Sequence, residues 1–245
     1  MDAVIIAFVS GKGGTGTSTA AVLTGEALAA LEKKVLYIEL KPALRSADVI
    51  GGISGKTVFD LSDVMEGRCT VEKAAVPSIR QEGFWLLCAP YEDGTLAKRP
   101  LDALLKEQSS RYDYILLDAS GGLDEAFALA TEAAQRVVLV LTPDPAALRI
   151  GQLLVGQPEL ADKPVRLLLN RVIPQRALAN GVLQDLDEAI DTVGAQLLGV
   201  IPDSAGIQVA TTGGAALPGF GTERSVFKAI AKRLLGEEVP LVYRG

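Results

Sequence analysis

The chain has 245 residues, a formal net charge of −6, 49% hydrophobic and 22% charged residues; this is a globular composition with a sizeable core, and its acidity argues against nucleic acid as a partner for the whole surface. Histidine is absent and the only cysteines are Cys69 and Cys88. That excludes Ser-His-Asp and Cys-His catalysis, His-ligated zinc and a disulfide framework, leaving carboxylates, lysines, hydroxyls and a bound magnesium as available chemistry.

The apolar run Ala3–Val9 predicts a first strand. Neither a basic start nor a small-residue cleavage site precedes or follows it, so it does not read as a signal peptide. It passes directly into Ser10-Gly11-Lys12-Gly13-Gly14-Thr15-Gly16-Thr17-Ser18-Thr19, and a helix is predicted over Thr17–Leu31. Glycines let backbone N–H groups turn inward around an anion, and the helix N-terminus adds its positive dipole end. The loop from Gly11 to Thr19 is therefore the candidate phosphate cradle, with the Ser18 hydroxyl placed to ligate Mg²⁺.

A second strand, Val35–Leu40, ends in Glu39-Leu40-Lys41. Beyond it the pattern predicts a helix at Asp60–Glu66, a strand at Phe84–Cys88, a helix at Leu101–Gln108 and a strand at Tyr114–Asp118. Asp118, at a strand's C-terminal end, is a candidate for the magnesium shell, through water. A helix at Asp124–Ala134, a strand at Arg136–Thr142, a helix at Ala146–Gly156 and a strand at Val165–Asn170 follow. A helix at Gly181–Asp191, a strand at Leu197–Ile201 and a helix at Glu223–Leu235 complete the pattern. Near-continuous apolar strands separated by helices predict an α/β fold, one mostly parallel sheet with helices on both faces. With no repeat or Pro/Ser-rich linker, residues 1–245 read as one domain. The longest apolar stretches, such as Val137–Leu141, are too short to span a bilayer, and a cytoplasmic location is expected. Both cysteines are expected to be buried, inert thiols.

The usual phosphate loop, G-x-x-x-x-G-K-[ST], is altered here: Thr17 occupies the lysine position. An early lysine followed by two glycines resembles the deviant loop of the MinD/ParA family, written KGGxGKT, with Lys12 as the early lysine. The resemblance runs along almost the whole chain. Val58-Phe59-Asp60-Leu61-Ser62-Asp63-Val64-Met65-Glu66-Gly67-Arg68-Cys69 is similar to the segment after the second strand in the MinD branch. Tyr112–Asp118 resembles the Walker B strand, Gly122 the glycine of the following switch loop, and Thr142–Pro145, Leu168–Arg171 and Leu198–Asp203 the later strand ends.

What the resemblance implies is a P-loop NTPase fold shared with nitrogenase iron protein, binding ATP or ADP with Mg²⁺. Ser18 and Asp118 would hold the metal; Asn170 would read the adenine edge, with Arg171, Pro202 and Asp203 around the base. Lys12 would reach across a nucleotide-sandwiched homodimer to the partner's phosphates. A protein partner is implied that the sequence does not identify. The cysteines do not fall where an iron–sulfur cluster would be ligated.

The departures concern hydrolysis. The family's second strand ends in D-x-D; here Glu39-Leu40-Lys41 places a lysine at the second carboxylate. Candidate catalytic residues are thus Lys12, Glu39 and Lys41, and hydrolysis is expected to be weak or lost through Thr17 and Lys41. Lys41 is expected to return some positive charge to the phosphates. The stripe Val226, Phe227, Ile230, Ala231, Leu234 and Leu235 should dock the last helix on the core, and with no basic amphipathic segment after Leu241 membrane association should be weak.

Overall fold

Alternation along the strands sends successive side chains to opposite faces of a sheet, and both faces here are apolar, so helices must cover both. The computed structural model describes residues 2–43, 45–92, 94, 96–119, 121–173, 186–217 and 221–242. Among these, β1 (Val4–Val9), β2 (Val35–Glu39), β3 (Val76–Pro77), β4 (Phe84–Leu87), β5 (Tyr114–Ala119), β6 (Arg136–Leu141), β7 (Val165–Val172) and β8 (Gln196–Pro202) form one sheet in the order β3-β4-β2-β5-β1-β6-β7-β8. Every pairing is parallel except β3 with β4, at the sheet's margin.

The described helices are α1 (Thr17–Ala29), α2 (Ala47–Ile50), α3 (Leu61–Met65), α4 (Val71–Ala74), α5 (Lys98–Gln108), α6 (Glu125–Ala133), α7 (Pro145–Val155), α8 (Leu186–Val193), α9 (Ala205–Gly213) and α10 (Thr222–Leu234). On one face Ile6, Phe8, Tyr37 and Leu116 pack under α1 and α10. On the other, Ala7, Val9, Ile38 and Leu117 pack under α5, α6 and α7. The terminal stripe docks as expected: Val226, Phe227, Ile230, Ala231 and Leu234 are buried. The C-terminus of α6 is closed by the Lys163 ammonium, which donates to the carbonyls of Thr131 (2.6 Å), Glu132 (2.9 Å) and Ala134 (2.7 Å).

The expected strands all form, with β7 running past Asn170 to Val172 and β8 to Pro202. The pattern missed β3, only two residues long, and α2 and α4, one turn each. It also missed α9, whose Val209, Thr211 and Thr212 are poor helix formers on no clear apolar stripe. Residues 181–185 of the predicted helix Gly181–Asp191 lie outside the described residues, and α8 carries the remainder to Val193.

The cysteine expectation needs one correction. Cys88 is buried and desolvation pushes its thiol up to about 12, so it is inert. Cys69 is only half-buried, because it follows the end of α3 rather than lying in a strand. The two pack into cores on opposite faces of the sheet. No helix among the described residues is long and apolar enough to cross a membrane.

Candidate nucleotide site

The central strand β1 lies between β5 and β6: the chain leaves it for β2 on one side and later crosses to β6 on the other. Such a reversal opens a crevice at the C-terminal ends of the strands, where α/β sheets bind ligands. The loop of residues 10–16 fills this position.

Gly14 (φ 79°) and Gly16 (φ 86°) both hold left-handed backbone that glycine adopts without strain. A Cβ on Gly13 or Gly14 would meet nothing within 4 Å, so this face of the loop is open. Gly11 differs: its Cβ would lie 2.1 Å from Ile150 on α7, which presses the base of the loop. Gly16 is the N-cap of the 13-residue α1 and no side chain caps that end. The first-turn N–H groups and the positive dipole end therefore serve the loop.

Thr15 and Thr17 are buried, and their hydroxyls hydrogen-bond each other at 3.0 Å. Thr17 is thus turned inward and brings no charge to the loop. Ser18 and Thr19 are half-buried, and Lys12 is exposed. Asn170, itself buried, donates from Nδ2 to the Thr15 carbonyl at 2.7 Å. The expectation assigned this amide to the adenine edge; in the structure one of its N–H groups braces the loop. An irregularity in the β7–β8 pairing between Leu169 and Val172, with Arg171 at φ 57°, aims Asn170 this way. Exposed Arg171 and Asp203 and half-buried Pro202 lie together where β7 and β8 end, the Asp203 N–H donating to the Val172 carbonyl at 3.1 Å.

Asp118 is fully buried and accepts from the Tyr37 hydroxyl at 2.6 Å. Burial first, then the adjacent Asp118 charge, raise the Tyr37 pKa well above its ordinary value, keeping it a donor. Glu39 stands opposite Asp118 in the β2–β5 register. Its carboxylate accepts from the Ser46 N–H (2.7 Å), the Ser46 hydroxyl (3.1 Å), the Ala47 N–H (3.2 Å) and the Ala89 N–H (3.2 Å). Desolvation nevertheless pushes Glu39 up to about 7 against those donors. These partners lie around the start of α2 and the end of β4, so Glu39 organises that loop and its hydrogen bonds do not reach the phosphate cradle.

The Lys41 ammonium lies 2.5 Å from Asp124 Oδ2 and 3.4 Å from the Gly121 carbonyl, so it pairs with the loop after β5. Lys12 falls near Asp144, the N-cap of α7. Burial works against the Asp144 charge, but the Thr142 hydroxyl, the Ala147 N–H and the Lys12 ammonium together hold it below the usual carboxylate range.

Sequence reasoning did not foresee three contributors. Ser10 donates from Oγ to the Lys12 carbonyl (3.0 Å) and receives the Gly121 N–H on Oγ (3.4 Å) and the Gly122 N–H on its carbonyl (3.2 Å). Tyr37 and Asp124 are the others. The signal for Tyr37 was its period-2 spacing to Glu39, which puts both on the face that Asp118 shares. A cavity of about 540 Å³ elsewhere, between α1, Arg80 and α10, is separate from this open cradle.

The donors fit a magnesium-bound polyphosphate: an open glycine face, an uncapped helix N-terminus, a hydroxyl at Ser18 and a buried carboxylate at Asp118. An AAA domain model matches residues 3–163. The septum site-determining protein MinD of Bacillus subtilis is 32% identical over 243 residues, covering 96% of this chain and 90% of that protein. MinD of Thermotoga maritima is 30% identical over 244 residues, covering 97% and 90%. Among solved structures, the MinC:MinD cell division protein complex of Aquifex aeolicus superposes with a TM-score of 0.89 at 31% identity, covering 99% of this chain and 100% of that one. MinD of Pyrococcus horikoshii, complexed with Mg-ADP, shares the fold with a TM-score of 0.82 at 23% identity, covering 95% and 96%. On loop, sheet order and full-length similarity together, the chain belongs to the MinD/ParA family of P-loop ATPases, alongside MinD.

Proposed function

We propose that residues 1–245 form one MinD-like nucleotide-binding domain, a cytoplasmic switch for division-site placement or polar localisation whose ATP hydrolysis is slow or lost. The observation that carries this reading is the open Gly13–Gly14 face at the uncapped start of α1. There the loop N–H groups and the first turn of α1 bind the phosphates, and Asn170, Arg171, Pro202 and Asp203 frame an adenine. Ser18 and Asp118 would hold Mg²⁺, which would neutralise phosphate charge. Lys12 is exposed and serves a second copy's phosphates in a homodimer. The relatives' name, septum site-determining protein, supports the process, and the MinC:MinD complex supports a regulator of that kind as the protein partner.

Hydrolysis is the point of departure. A preorganised charged donor on the transferring phosphate is worth roughly 10²–10³ in rate, and the Thr17 hydroxyl, bonded to Thr15, supplies none. Lys41 is held by Asp124 and is no acceptor for an attacking water's proton. Incubation with ATP and magnesium tests the whole reading: binding without turnover supports it. Binding with brisk turnover favours an active ATPase with a rearranged site. No binding at millimolar nucleotide leaves an interaction protein that kept only the fold. Phosphate release should rise most in Thr17→Lys with Lys41→Asp, above the natural chain and either single variant.

A further inference from the structure

The loop after β5 is tied down from two sides. Ser10 receives the N–H groups of Gly121 and Gly122, fixing one flank to the phosphate loop. On the other flank the Lys41 ammonium reaches the Gly121 carbonyl and the Asp124 carboxylate. Asp124 does two things at once: Oδ1 accepts from the Phe127 N–H at 3.2 Å, capping α6, while Oδ2 takes Lys41 at 2.5 Å. Gly121 (φ 98°) and Gly122 (φ 152°) give the segment freedom to swing if released. The far end of α6 is already fixed by Lys163, so movement is confined to this loop and the first turn of α6.

We propose that Lys41 is an electrostatic latch that holds Gly121–Asp124 against the end of β2 and so sets the resting position of the switch loop. Lys41 is therefore a positioning residue rather than a catalytic one. The sign of its charge is the device. A carboxylate at position 41 would confront Asp124 with like charge and drive the loop away, whereas the lysine draws it in. The Lys41 side chain is 19% exposed and that of Asp124 42%, so salt reaches the pair and the latch responds to ionic strength. A pocket of about 170 Å³ lined by Leu40, Lys41, Pro42, Asp124 and Leu129 lies directly at the pair, leaving room for the lysine to swing away when the loop opens.

The test is hydrogen exchange resolved to Gly121–Asp124 in the nucleotide-free full chain, so its outcome does not depend on whether nucleotide binds. Asp124→Asn keeps an oxygen to cap α6 but removes the ion pair; Lys41→Met removes it from the other side; Lys41→Arg preserves the charge. The latch predicts that Lys41→Met and Asp124→Asn speed exchange by roughly two- to fivefold, while α6 beyond Phe127 is unchanged. Salt at about 1 M should do the same to the natural protein and nothing further to those two variants. Lys41→Arg should exchange as the natural protein does. Natural rates in Asp124→Asn, or an equal salt response in all four proteins, would overturn the proposal.

Discussion

Glu39 lies two positions after Tyr37 on β2, 2% exposed, with three N–H groups and the Ser46 hydroxyl converging on it. Because its folded pKa is about 7 against an ordinary 4.5, the folded state keeps a proton that the unfolded chain loses between those values. Stability must then fall as pH rises through that window, by about 3 kcal/mol in total. Glu39→Gln should lose this slope, at the cost of an amide facing the Ala89 N–H. Urea midpoints of both proteins from pH 5 to pH 8 check it: a difference that does not change with pH means Glu39 is ionised throughout. The sequence carried the cradle well, since Gly11–Thr19 is contiguous and its chemistry is local. It did not carry Tyr37–Asp118 or Lys41–Asp124, which join residues 81 and 83 apart in sequence. The partner of Lys41 is set by how β2 and β5 align, which no local pattern shows.

At the scale of elements, α6 shows how a helix end is held by a residue from another segment. Lys163 follows the short turn Pro158–Leu160 and donates to three carbonyls at the α6 C-terminus, where the dipole favours a cation. Removing it strands those carbonyls, so Lys163→Met should destabilise by roughly 1–3 kcal/mol. Denaturant unfolding should show a lower midpoint with an unchanged slope; an unchanged midpoint would show that water replaces the ammonium. Elements with long apolar runs, such as β6 (Arg136–Leu141) and α10, were legible because burial and periodicity point the same way. The helix α9 was not, since Ile207 and Ala210 are its only buried positions and Val209 faces outward at 64% exposure.

For the whole molecule, the strand order places every candidate binding residue at one rim of the sheet, and on that rim Lys12 is exposed while its neighbours Thr15 and Thr17 are buried. A cation left outside its own loop fits a site completed by a second copy. Light scattering with and without Mg-ATP should therefore show a nucleotide-dependent dimer, weakened in Lys12→Ala; a monomer under both conditions removes the trans role. The lateral edge of the sheet at β3 bears on a different question. An outermost strand with free N–H groups is a template on which other chains can add strands and aggregate. Of the two outer strands, β3 and β8, β3 is cut to Val76 and Pro77, paired in reverse sense to its neighbour, and its proline has no N–H to donate. Sheet growth is blocked at this margin, and molecules crowded together at high concentration are kept from joining there edge to edge.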